Sequence, residues 1–432
     1  MFFTVSGGPF GLEGLVGSIG PGIAVLLLVA TPLIYSIPET LLIGELASML
    51  PAEGGYYVWV KRAFGPAWGF CNGWLSWMYS LIDMALYPVL FLQYLKYFLP
   101  NLSGTDAWLI ALALIWGATW LNLRGTRVVG TASGWFVAAV LLPFAILAVW
   151  GLVQWLSARP MAPLPLTPFH VAGTSFAGAL GVGISQSIWN YSGWDNASTI
   201  GGEIEQAGAT YPRALARTLP LVTLVYLVTI IPVLALTSWT SWQDGAWPAL
   251  ARTVAGSWLA AWIAVGGMVS AFALFNALLL VYSRIPLVLA QDRLLPDWLA
   301  VTDERGTPRR AVLASAVAYS VMALLPFGGL LAGDVLLYTA ALALEFASLI
   351  RLRRAEPELR GSFRVPLGPV ALTVLAALPL LLIVVAVTLE FRSHEIGVPG
   401  LIVAVGLALA GPLFYLFARA QQARRSPVSI IG

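Results

Sequence analysis

The residues best placed to do chemistry are carboxylates set in apolar sequence. Glu13 follows the run Ser6-Gly7-Gly8-Pro9-Phe10-Gly11-Leu12, and Asp195 closes the run Asn190-Tyr191-Ser192-Gly193-Trp194. Each acid stands two residues after a glycine, Gly11 and Gly193. Glycine and proline interrupt helices, so each acid is expected at the start of a second half-helix, where the aligned peptide dipoles favour negative charge. A plain N-cap role accounts for the same placement. Against it, ionisable groups at membrane depth are costly and serve ions, protons or substrates. Glu39, Glu45, Asp83, Glu203 and Glu345 also fall in apolar runs, and no Lys or Arg is expected at comparable depth. Such an excess must be neutralised by protons or by a cationic ligand. That is the chemistry of a proton-coupled carrier of amines.

Tyr79, Asp83 and Tyr87 recur every four residues and therefore share one helix face, where a carboxylate between phenols can hold an ammonium by charge and cation–π contact. Packing tyrosines, with Asp83 as a hydrogen-bond partner for unwound backbone, explain the same spacing. Trp189 and Trp194 straddle the second interruption and are placed to cap a ligand. Pro9 deletes one amide of the kind that holds a carboxylate at a broken helix, although Gly7, Gly8 and Gly11 still offer theirs. Gly181-Val182-Gly183 lacks the βαβ setting of a dinucleotide loop, and Gly65, Gly69 and Gly73 fit close helix packing. Neither implies a cofactor. A single cysteine, Cys71, and two loop histidines, His170 and His394, leave metal or nucleophilic enzyme chemistry almost nothing to use.

The elements that must position these residues are membrane spans. Of the 432 residues 59% are hydrophobic and only 10% charged, against about 25% charged in soluble domains. Mean hydropathy is +0.85. Spans are expected near 1–18, 20–49, 66–95, 106–122, 126–154, 174–204, 213–236, 256–290, 311–328, 333–352, 366–388 and 398–418, twelve in all, with no separate soluble domain. The fold class is thus an all-α polytopic membrane protein with one transmembrane domain over 1–432. Interruptions in corresponding spans, five apart, point to two inverted five-helix repeats with a site between them. With the first loop outside, only Lys96, Arg159, Arg252 and Arg392 of the 23 Lys and Arg residues fall outside, so both termini are expected to be cytoplasmic. The net charge of +3, without a basic stripe, gives no sign of nucleic-acid binding. The first span offers only about five apolar residues before Ser6, roughly 8 Å of rise, so it is expected to be truncated at its N-terminus. No basic n-region or cleavage site marks a signal peptide.

Together these blocks resemble the amino acid–polyamine–organocation (APC) superfamily, most closely the polyamine-uptake branch related to the L-type amino acid transporters. The resemblance covers nearly the whole chain. It is carried by Val5 to Glu13, Ser36-Ile-Pro-Glu39, Gly44-Glu-Leu46 through Gly54-Gly-Tyr56, Ile82 to Phe91, and Trp189-Asn190 with Trp194-Asp195. Tyr211-Pro-Arg-Ala214, Asp292-Arg-Leu-Leu-Pro296 and Glu345-Phe346 leading into Leu349 to Arg353 agree. It implies a LeuT-type fold of two five-helix repeats plus two further helices, with helices 1 and 6 broken. It also implies a substrate held between those breaks with help from the third, eighth and tenth helices, and alternating access driven by a proton gradient.

The resemblance makes Gly7, Gly8, Phe10, Trp189, Asn190 and Asp195 pocket or gate positions and Glu13 and Asp83 cation or proton partners. The pocket positions and Asp83, with Tyr87 and Trp194, form the expected substrate site, and Glu13 and Asp195 are the expected proton-coupling groups. Ser192-Gly193 departs from the bulkier residues of the polyamine branch, and Tyr-x-Gly-Trp leans toward the L-type carriers. Only Ser270 offers a hydroxyl near a sodium site, and the fifth span has no lysine, so protons are expected to drive transport without a metal or cofactor. The loop Lys96 to Asp106 lacks the cysteine that ties L-type carriers to a glycoprotein, so no disulfide-linked subunit is expected. The expected function is import of putrescine- or spermidine-like amines across the cell membrane. The alternatives are an amino acid transporter or exchanger and a non-transporting nutrient sensor.

Overall fold

Proline and glycine set the helix limits. Prolines open several helices, where the missing N–H costs no intrahelical bond, and the interior ones are tolerated because neighbouring helices surround the freed carbonyls. The structure, a computed structural model, describes residues 1–158, 163–164, 166–173, 175–304, 306–323, 331–393 and 398–425, with backbone alone at 331–333, 398–404 and 421–425. Arg159, His394 and the expected end of the ninth span lie outside the described residues.

In chain order the helices are α1 (Phe2–Val5), α2 (Glu13–Ile19), α3 (Pro21–Thr31), α4 (Ile37–Met49), α5 (Tyr56–Phe64), α6 (Pro66–Leu95), α7 (Gly104–Asn122), α8 (Thr126–Ser157) and α9 (Phe176–Asn190). They continue with α10 (Ala207–Leu236), α11 (Trp247–Ala255), α12 (Ser257–Tyr282), α13 (Arg284–Gln291), α14 (Arg309–Met322), α15 (Leu331–Ala355), α16 (Pro369–Arg392) and α17 (Val398–Arg425). A π-helical turn, Pro32–Ser36, joins α3 to α4. No strand occurs among the described residues, only a bridge between Glu53 and Ile200.

Eight helical stretches among the described residues are long and apolar enough to cross a membrane. The other four expected spans correspond to the broken pair α1 and α2, to α9, to α14 and to α17. The most enclosed are α6 and α12, with 72% and 78% of their apolar stretches buried, against 28% for α7 and α16. Helix α12 packs on α6, α8 and α11, α15 lies across α6, and α16 lies along α9. Large apolar side chains such as Trp135, Val370 and Leu413 point outward, as a hydrocarbon solvent requires.

Two features differ from the sequence reading. After Asp195 the chain forms the short 3₁₀ turns Asn196–Thr199 and Gly201–Glu203 instead of a second half-helix. Thr199 Oγ1 bonds the Asn196 carbonyl at 3.0 Å, a local side-chain bond that competes with helix, while the Asn196 side chain is drawn to Tyr79 and Tyr282. The short helices α5 and α11, between the spans, were not foreseen.

Candidate functional site

The two interruptions meet. Gly193 has φ of 89°, and a Cβ there would stand 2.6 Å from the Thr4 carbonyl oxygen, so only glycine lets the breaks touch. The backbone groups freed by unwinding are taken up by side chains. Tyr226 of α10 donates to the Asn190 carbonyl at 2.9 Å and bonds the Ser6 hydroxyl at 2.8 Å, tying both breaks together. Trp247 Nε1 donates to the Pro9 carbonyl at 2.8 Å, Ser270 Oγ to Gly7 at 2.6 Å, and Tyr211 to Trp194 at 2.6 Å.

Between the breaks lies a cavity of about 40 Å³, walled by α1, α6, α9, α12 and α15. Of the expected site residues it brings Asp83, Tyr87 and Trp189 into the wall, with Tyr79. The Asp83 carboxylate receives Tyr87 Oη at 2.9 Å and Trp189 Nε1 at 3.4 Å on Oδ1, and Tyr282 Oη at 3.0 Å on Oδ2. Its partners are therefore side chains from three helices, not unwound backbone. Tyr79 instead donates to Asn196 Oδ1 at 2.9 Å.

Asp195 reaches the cavity through Tyr338, whose hydroxyl lies 2.8 Å from Asp195 Oδ1 and 2.7 Å from Glu39 Oε1 and accepts the Gly193 N–H at 3.1 Å. A phenol carries one hydrogen and two lone pairs. It can donate to only one carboxylate, so for all three contacts to be hydrogen bonds the other carboxyl must bring a proton of its own. Both acids are fully buried. The Tyr338 hydroxyl thus joins the two carboxyl groups in one hydrogen-bonded trio.

Glu13 starts α2, as expected, but stands away from the cavity wall. It accepts the Gly11 N–H at 2.8 Å, the Gly245 N–H at 3.0 Å and the Tyr94 hydroxyl, bracing the first break to α6 and to the loop before α11. The Gly8 N–H donates to Ser6 Oγ at 3.1 Å. The amides of Gly8 and Gly11, expected to be open to a ligand, are therefore engaged. Gly7, Gly8, Phe10, Asn190 and Trp194 shape the breaks without lining the cavity. Phe10 wedges between Tyr94 and Phe144, with ring centroids at 4.7 and 4.8 Å. Asn190 Nδ2 donates to Gln186 at 2.9 Å, and the buried Trp194 donates to the Tyr191 carbonyl at 2.6 Å.

The absence of cations at membrane depth needs correction. Arg353 pairs with Glu45, and the fully buried Arg284 pairs with Glu203 at 2.8 Å. Arg284 lies within the expected eighth span, and Arg353 lies just past the end of the expected tenth. Asp334, Tyr282 and Tyr338, all in the cavity wall, escaped the sequence reading. One signal was present, because Asp334 and Tyr338 on α15 repeat the Asp-x-x-x-Tyr spacing of Asp83 and Tyr87 on α6.

Paired helix breaks around a buried, carboxylate-walled cavity define the class of membrane transporters. Comparison with known proteins agrees and goes further: residues 1–416 match the family model described as amino acid permease. The chain belongs to that family, within the APC superfamily, and is a multi-pass transporter and not an enzyme. Polyamine transporter PUT1 of Oryza sativa subsp. japonica is 35% identical over 420 residues, 96% of this chain and 77% of the relative. Polyamine transporter RMV1 of Arabidopsis thaliana is 33% identical over 413 residues, 95% and 82% of the two chains. A probable polyamine transporter of the same plant is 34% identical over 432 residues, covering 99% and 88%.

Proposed function

We propose that this chain imports polyamines, putrescine- and spermidine-like, with protons by alternating access. In this reading one transmembrane domain over 1–432 spans the cell membrane twelve times in a LeuT-type arrangement, with both termini cytoplasmic. The observation that carries it is the cavity wall, which among the described residues holds the carboxylates of Asp83 and Asp334 and no Lys or Arg. Charges buried in that imbalance call for a cationic guest. The relatives named as polyamine transporters support the same substrate class.

An amino acid is less well served, because the Gly8 and Gly11 amides, two of the three expected to hold its carboxylate, and the Gly193 amide are already bonded within the protein. At about 40 Å³ the cavity has room for only about three water molecules. A diamine needs the wall to open, which supports a cycle through an occluded form.

The expected roles divide accordingly. Asp83, Tyr87 and Trp189 touch substrate, while Gly7, Gly8, Phe10, Asn190 and Trp194 form the breaks that move. Asp195, sharing the Tyr338 hydroxyl with Glu39, carries the coupling proton, and Glu13 reports proton state to the outer end of the first break. The test is Asp195→Asn in proteoliposomes. Proton-driven putrescine uptake should vanish while the protein stays folded, and uptake with an unchanged dependence on pH would remove Asp195 from coupling.

A further inference from the structure

We propose that Asp334 is a second substrate carboxylate, which together with Asp83 grips one primary ammonium group and sets the preference for alkylammonium substrates. This rests on the polyamine reading above and names the residue that makes it selective. Asp334 stands in the first turn of α15, is 5% exposed and faces the cavity. Its Oδ1 is buried without a hydrogen-bond partner.

The two Asp-x-x-x-Tyr pairs explain why. On α6 the phenol of Tyr87 turns back to its own Asp83. On α15 the phenol of Tyr338 turns away, to Asp195 and Glu39, so Asp334 loses the donor its twin has. An unpartnered buried carboxylate oxygen is expensive, and its retention in a cavity wall calls for a donor that comes and goes.

Asp334 lies within electrostatic reach of Asp83, Tyr87 and Tyr282. An alkylammonium brings three N–H donors on one compact charge. One fits the open Oδ1 of Asp334. A second fits Asp83, which receives three donors and has about four acceptor positions. The third can reach a tyrosine oxygen. A cation between the two carboxylates offsets their mutual repulsion, whereas a zwitterion would bring its own carboxylate against the same wall.

The test measures binding of labelled putrescine to the purified full-length protein, in the wild type, Asp334→Asn, Asp83→Asn and the double variant. Each single variant should weaken binding by about tenfold or more, as loss of a charge-assisted hydrogen bond implies. Because both carboxylates hold the same ammonium, the double variant should lose clearly less than the product of the two single effects. Should Asp334→Asn fail to fold, Asp334→Ser carries the same expectation. Wild-type binding with Asp334→Asn unchanged would overturn this inference alone, as would losses that multiply independently. A wild type that binds no putrescine would overturn the polyamine reading together with it.

Discussion

Replacing Tyr338 with Phe removes one oxygen atom, and that atom serves three partners. The Gly193 N–H would lose its acceptor, and Asp195 and Glu39 would lose the group that joins them. A hydrogen bond to a charged group is worth about 1.5–3 kcal/mol, and a buried amide left unpaired costs about 1–3 kcal/mol. The two do not add fully, so Tyr338→Phe should destabilise the protein by about 3 kcal/mol. Tyr79→Phe is the control, since its hydroxyl donates to Asn196 in the same cavity wall and should cost about 1 kcal/mol. Unfolding in detergent compares the two, and putrescine uptake across a range of pH adds the functional readout. Tyr338→Phe should flatten the pH dependence of uptake, because the proton shared between Asp195 and Glu39 loses its bridge. Equal destabilisation by the two variants, with the pH dependence of Tyr338→Phe intact, would refute the hydrogen count on which the coupling argument stands.

Other substitutions probe the parts that hold the site. Arg284→Met leaves Glu203 without its cation and should cost about 3 kcal/mol in thermal unfolding, with Arg284→Met/Glu203→Gln recovering part of it. Gly7→Ala would push a methyl to 2.4 Å from Ser270 Oγ and 2.5 Å from Leu274 Cδ1, so it should lower stability by about 1–3 kcal/mol. Gly266→Ala meets nothing nearer than 3.6 Å and should fold like the wild type in the same assay. Asp83→Asn should weaken uptake of diamines more than that of any neutral amino acid tested, and equal effects would take Asp83 out of the cation site.

The breaks were legible in the sequence because Gly and Pro clusters inside apolar runs have few other uses. Glu13 does begin α2, as the glycine and proline before it require, and Asp83 and Tyr87 do share a face, which follows from helical periodicity. What the sequence hid depends on contacts between distant segments. Arg284 falls inside an expected span and Arg353 just past another, and nothing local shows that they pair with Glu203 and Glu45. Tyr338 draws its meaning from Asp195 and Glu39, which lie 143 and 299 residues away along the chain. Asp334 opens its helix, where an acid reads as a first-turn charge favoured by the dipole. Only the cavity wall reveals its unpaired oxygen. The 3₁₀ turns after Asp195 go with the local Thr199 bond and with the long-range bonds of Asn196 to Tyr79 and Tyr282, neither of which helical periodicity registers.

The central claim is proton-driven import of polyamines, and flux measures it most directly. Wild-type protein in proteoliposomes, given an inward proton gradient, should accumulate labelled putrescine above its external concentration, and a protonophore should collapse that accumulation. Amino acid uptake or exchange without putrescine flux, or putrescine accumulation indifferent to the protonophore, would contradict it.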